Sequence, residues 1–400
     1  MFKVKKELRK VKSPKFKRRI TDIINEAKNI NTLMENGETD VDVLCQKLDY
    51  KLEKFADLAS EFMILNPKFK SEHLKELYFD VLTYLKLSEI NEDYMIKVVR
   101  PSLNGELPII RILCLDPQKF IYQGLLKSYG SVLFSATLGP REFYDRMLGI
   151  KEGDASLTIP TGFDKNNLSI LVATDVATTY KKRDETYGEV VDYILAAIRA
   201  DVGNYLVFCP SYAYLEKVSE YLETLDDFIL IKQEKDMSEE ARHRFLSEFK
   251  EDPKVTVVGL TVMGGIFAEG IDLPNDRLRG VVIIGVGFPR IDEDLKLIST
   301  YYEEKFNKRT AFFYTYVYPG INRILQAMGR VIRNENDYGF VLLIDKRYLE
   351  RPYINSIRSY NGNLIFVDNP AHVSNELNNL YERIAKKAKK CDNLTSKEDK

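Results

Sequence analysis

VTVVGLTVMGGIFAEGIDLPNDRLRGVVIIGVGFP, from Val255 to Pro289, reads as a strand, a long acidic loop with glycines, and a second strand. The flanking runs VTVVGL and GVVIIGV are apolar over strand length and rich in β-branched residues, as expected of strands covered on both faces. Four more runs of this kind, LSILVAT, NYLVFC, FILIK and FVLLID, alternate with amphipathic segments of helix length. That alternation predicts an α/β fold: a mostly parallel sheet with helices on both faces.

Working outward, a linker is expected around Pro160 to Asn167. Ahead of it, PIIRILCLD (Pro108 to Asp116) and SVLF (Ser131 to Phe134) read as two further buried strands. The first hundred residues read as helical. Val41, Leu44, Leu48, Leu52, Phe55, Ala59 and Phe62 recur every three or four positions, as do Leu74, Leu77, Tyr78, Val81, Leu82 and Leu85. Met1 to Arg19 is dense in lysine and arginine, a solvated end or a phosphate contact. Beyond His372 a Lys-rich helix is expected to fray into a disordered tail.

The 400 residues are 44% hydrophobic and 30% charged, enough for two or three cores, and a net charge of -1 excludes a globally basic nucleic-acid binder. Cys45, Cys114, Cys209 and Cys391 are spaced for neither disulfides nor an iron-sulfur cluster. His73, His243 and His372 are isolated, so no metal site is expected. No apolar stretch has membrane-spanning length and the N-terminus lacks a signal-peptide core, so the expected compartment is the cytoplasm.

Three segments carry candidate chemistry. In LFSATL, Ser135 and Thr137 follow a predicted strand, where small hydroxyls either bridge a cleft or simply cap a strand end. In GGIFAEGIDLPND, Glu269 and Asp272 bracket Gly270 and could accept hydrogen bonds from a ribose, a cation or arginines, and the length of the loop favours function over a plain turn. In QAMGRVIRNENDYGFVLLIDKR, helical spacing places Gln326, Gly329, Arg330 and Arg333 on one face. Two guanidiniums and an amide there suit a polyphosphate, the alternative being an ion-pair face with Glu335 and Asp337. The cluster Asp292, Glu293, Asp294 reads as a helix start.

In this order the segments resemble superfamily 2 helicases of the XPD/DinG type, most closely the DinG-like helicases of low-GC Gram-positive bacteria. FSATL looks like motif III, YLVFCPSYAYLEKV (Tyr205 to Val218) like motif IV, Gly264 to Pro289 like motif V, and Gln326 to Arg347 like motif VI. The resemblance implies ATP with Mg²⁺ bound between two RecA-like motor domains. Arg330 and Arg333 would be arginine fingers beside Gln326 and Gly329. Glu269, Gly270 and Asp272 would couple nucleotide to DNA, and Ser135 and Thr137 would link the motor domains. It further implies 5′ to 3′ translocation on single-stranded DNA, in repair or replication, with contacts near Ser211, Tyr212, Tyr214 and Tyr180 to Arg183, including Lys182.

The departures from that pattern are as informative as the matches. The sequence has no G-x-x-x-x-G-K-[ST], no Gly-Lys dipeptide, no D-E-x-H strand end and no iron-sulfur cysteine set. The expected division is therefore a helical arch remainder (1–107), the closing strands of motor domain 1 (108–165), motor domain 2 (166–372) and a Lys-rich tail (373–400). Such a chain would be inactive alone, would expose open sheet edges, and would need an N-terminal helicase half as partner. A non-catalytic nucleic-acid-binding or regulatory module, or half of an RNA helicase, are the other readings.

Overall fold

The structure, a computed structural model, describes residues 14–67, 71–101, 107–159, 161–267, 271 and 273–398. It divides into two compact units between Ile121 and Tyr122.

In the first unit, helices Pro14–Glu35, Val41–Leu65 and Glu72–Ser88 bury the stripe read from the sequence, including Leu44, Leu48, Leu52, Phe55, Ala59 and Phe62. Phe16 and Ile20 are buried with them, so the later part of the basic N-terminal stretch is helix with an apolar face. Strands β1 (Met95–Arg100) and β2 (Ile109–Cys114) pair antiparallel, from Met95 opposite Cys114 to Arg100 opposite Ile109. The β-hairpin is tied to the helices through Asp49, which accepts from Lys97 Nζ (2.7 Å) and Tyr84 Oη (2.7 Å).

The hairpin corrects one expectation. The run after Pro108 is a strand, but its partner is β1, not a parallel motor sheet, because an apolar run alone does not say which neighbour it pairs with. A second correction concerns Ser131 to Phe134, which form no strand, with Val132 and Phe134 86% and 89% exposed. A strand exists only by pairing, and no described strand flanks this segment.

The second unit is built on a seven-stranded, wholly parallel sheet in the order β5-β6-β4-β7-β8-β3-β9. Its strands are β3 (Leu168–Ala173), β4 (Asn204–Cys209), β5 (Ile229–Lys232), β6 (Val257–Val262), β7 (Gly280–Ile284), β8 (Gly339–Ile344) and β9 (Asn363–Val367). Every residue of β3, β4, β6, β7 and β8 is buried, because helices cover both faces. Alternate side chains of these strands feed two apolar cores, one on each face.

Strand β9 was not foreseen. Nor was the docking of the final helix, Pro370–Glu398, which seats Val373, Leu377 and Leu380 against Val190, Ile194 and Ala197. Its spacing of four and three is a helical stripe among Ser, Asn and Glu, ahead of the lysines at 386–390, so the first turns of the helix that was expected to fray are core. The short helix Arg141–Leu148 packs on the opposite face, placing Phe143 5.4 Å from the rings of both Tyr314 and Tyr318.

Candidate functional site

The approach to the arginine segment begins at Asp292, whose side chain caps helix Glu293–Lys305 by accepting from Leu295 N, as the acidic cluster suggested. A π-helical turn, Phe313–Val317, then leads into helix Tyr318–Met328. Where that helix passes the end of β7, Gly287 (φ +67°) meets Gly320. A Cβ on either would sit 2.7 Å from a backbone carbonyl of the other segment. Only paired glycines let the helix start flush against the strand end.

Helix Tyr318–Met328 ends before the arginines do. Gly329 is its C-cap at φ -66°, ψ 0°, and Arg330 and Arg333 lie in the following loop, ahead of β8. This corrects one expectation: the four residues do not share a helical face. Asp337 shapes the loop by accepting backbone N–H bonds from Arg333 (2.6 Å), Asn334 (2.9 Å) and Asn275 (3.1 Å). Arg330 Nη1 and Arg333 Nη2 then donate to one acceptor, the carbonyl of Ile271, at 2.6 and 3.2 Å. The loop thus achieves the convergence that the helix was expected to provide.

Gln326 is partly buried on the last turn of that helix. A Cβ on Gly329 would meet only ordinary contacts, 3.4 Å from Leu325 O and Tyr360 Oη. The need for glycine does not arise from the described chain itself. Burial pushes the Tyr360 hydroxyl up to about 12, with the Arg333 charge opposing the shift.

The loop between β6 and β7 connects this arginine pair to the opposite end of the sheet. It leaves β6 at Val262, where Gly264 adopts φ +72° and lies against the Arg323 guanidinium, a residue sequence reasoning passed over. It reaches Ile271 and Asn275 on the side where β7 and β8 begin. Glu269, Gly270 and Asp272 lie outside the described residues.

At the C-terminal ends of the strands, several of the remaining candidates gather. Tyr180 is 78% exposed with the Arg183 guanidinium 4.1 Å over its ring, and Lys182 is exposed beside them. Ser211 caps helix Tyr212–Leu222 by accepting from Tyr214 N (3.2 Å). Tyr212 is partly exposed, but Tyr214 is buried 4.7 Å from the Tyr187 ring. It is therefore a core residue and cannot stack on a base, against expectation.

Beneath this edge Asp345 is fully buried. It accepts from Thr178 N and Oγ1 (3.1 and 2.5 Å) and from Arg347 N, Nε and Nη2 (2.8, 2.9 and 2.8 Å). Burial alone would raise the carboxyl, but Arg347 and Thr178 outweigh it and hold it below its ordinary value. Ser135 and Thr137 stand apart in the strand-free segment, joined by a local bond from Thr137 N to Ser135 Oγ (3.2 Å). Among the described residues no group of three or more His, Cys, Asp or Glu could hold a metal ion, and no helix is long and apolar enough to cross a membrane.

The second unit thus combines a parallel sheet, a convergent arginine pair and an aromatic, cationic strand edge. Residues 194–361 match the helicase C-terminal domain family. The chain is 28% identical over 317 residues to the ATP-dependent DNA helicase XPD of Sulfolobus acidocaldarius, covering 74% of this chain and 56% of that protein. It is 28% identical over 235 residues to the ATP-dependent DNA helicase DinG of Photobacterium profundum, 57% of this chain and 33% of that one. The 3′-5′ exonuclease DinG of Staphylococcus saprophyticus is 22% identical over 339 residues, 78% of this chain and 34% of that one. A solved XPD helicase structure superposes with a TM-score of 0.56 at 21% identity, covering 92% of this chain and 64% of that one, which supports the RecA-like fold.

The matched domain family and the names of these relatives agree with one another, and the chain is similar to helicases of the XPD/DinG type. It spans 56%, 33% and 34% of the lengths of these three relatives.

Proposed function

We propose that this chain supplies the second motor domain of an ATP-driven DNA helicase that moves 5′ to 3′ on single-stranded DNA in repair or replication. The observation that carries the reading is the meeting of Arg330 and Arg333 at the Ile271 carbonyl. It aims two permanently charged, fork-shaped donors at one point, as a polyphosphate requires. ATP and Mg²⁺ would be held chiefly by a motor domain bearing a P-loop, on this polypeptide or another, with Ser135 and Thr137 at the junction. Gln326, Gly329, Arg330 and Arg333 would face the phosphates. By itself the sequence described here turns over no ATP, because it contains no phosphate-binding loop.

Nucleic acid would run along the C-terminal strand edge, against Tyr180, Lys182, Arg183, Ser211 and Tyr212. The loop from Gly264 to Asn275 would relay nucleotide state to it, with Glu269, Gly270 and Asp272 taking part. The nucleic-acid half of the reading is tested by fluorescence anisotropy of labelled oligo-dT and an RNA of equal length, titrated with the whole chain across a salt series. Binding to oligo-dT that weakens steeply with salt is expected, since phosphate contacts release counterions. Loss of affinity on Tyr180→Ala and on Arg183→Ala is expected as well. Equal affinity for RNA would favour an RNA motor, and no binding to either would overturn the reading.

A further inference from the structure

Gln233 follows β5 with nothing in the sequence to single it out, yet it is 2% exposed and joins three adjacent strand ends. Its Oε1 accepts from Val262 N (3.0 Å) at the end of β6, and its Nε2 donates to Tyr212 Oη (2.8 Å) on the helix after β4. Its own backbone N donates to Leu260 O (2.8 Å). The fit extends into the next turn, because a Cβ on Gly265 would lie 3.0 and 3.2 Å from the Gln233 amide atoms. The amide serves both partners at once, accepting from a peptide N–H and donating to a phenol.

Tyr212 is partly exposed. Its hydroxyl also makes a long contact with Glu234 O (3.5 Å), and the Lys235 ammonium stands 5.6 Å over its ring. The loop that starts at Val262 is the one whose Ile271 carbonyl receives the arginine pair.

We infer that Gln233 is a positioning residue that locks the Tyr212 ring to the first turn of the β6–β7 loop, so that movement of this loop moves a base-stacking platform. This deepens the proposed function and rests on it: Tyr212 must contact nucleic acid for its orientation to matter. A purely structural Gln233 would stabilise the strand ends without affecting DNA affinity. A positioning Gln233 acts through the Tyr212 hydroxyl, so removing that hydroxyl while keeping the ring should reproduce its loss.

The test measures oligo-dT affinity by anisotropy for the full chain, Gln233→Met, Tyr212→Phe and the double variant. Each single change should weaken binding about three- to tenfold, the worth of one hydrogen bond, and the double variant should be no weaker than the worse single. Tyr212→Phe removes one oxygen from a partly exposed ring, so it keeps the test valid should Gln233→Met fail to fold. Wild-type binding with an unchanged Tyr212→Phe overturns this inference alone. No binding by the wild type overturns the nucleic-acid reading and this inference with it.

Discussion

Arg330→Ala is expected to lower DNA-stimulated ATP turnover, measured with the chain paired to a P-loop motor domain, by about 10³-fold or more, the usual worth of an arginine finger. Arg333→Ala should fall in the same range, and Gln326→Ala should cost less because it removes no charge. Arg330→Lys should recover little. An ammonium is a point charge and cannot reproduce two parallel N–H donors on adjacent phosphate oxygens. The fold should survive these changes, because the backbone N–H bonds that Asp337 accepts from Arg333, Asn334 and Asn275 remain when a guanidinium is removed. Unfolding midpoints close to wild type would therefore accompany the lost turnover, and a matching fall in both would point to a structural role.

Asp345→Ala should produce the largest loss of stability. Its carboxylate is fully buried and accepts five hydrogen bonds from Thr178 and Arg347. Removing one partner of such a pair strands the other charge, which typically costs about 3–5 kcal/mol. Urea unfolding followed by far-UV circular dichroism would read this as a fall in midpoint. The same carboxyl also sets a pH dependence. Its folded pKa is depressed, so its contribution is fully present above the unfolded value of about 3.9 and is lost as pH falls through the lower folded value. Asp345→Asn should flatten that acid limb of the stability curve while lowering stability at neutral pH.

The parts of this fold that were legible in the sequence share a physical cause. Strands β3, β4, β6, β7 and β8 are buried on both faces, so each is an unbroken apolar run that no polar alternation interrupts. Edge strand β9 has one buried residue in five and carries no such signal. Val373, Leu377 and Leu380 sit among Ser, Asn and Glu just ahead of the lysine run at 386–390 that gave the segment its tail-like look, although their spacing alone identifies a packed face. Ser131 to Phe134 failed in the opposite sense: an apolar run states a propensity, but pairing decides whether a strand forms.

The candidate site divides in the same way. That Arg330 and Arg333 converge was expected from the sequence, whereas the route was not, since Gly329 ends the helix and the loop brings the arginines to Ile271. Tyr214 was mistaken for a contact residue, yet it is buried on the same helix as Leu215, Val218 and Leu222 and belongs to their apolar side. Gln233 could not have been found at all. A lone glutamine after a strand has no pattern, and its role arises only when β4, β5 and β6 bring their ends together.

The central claim, that this chain completes an ATP site across a cleft, is tested most directly by adding it to the P-loop motor domain of an XPD or DinG relative. ATP hydrolysis is then followed at saturating oligo-dT, for each component alone and for the mixture. Turnover is predicted only in the mixture, abolished there by Arg330→Ala. Robust turnover by this chain alone, or a mixture with wild-type chain that is no faster than the P-loop domain by itself, would contradict the account.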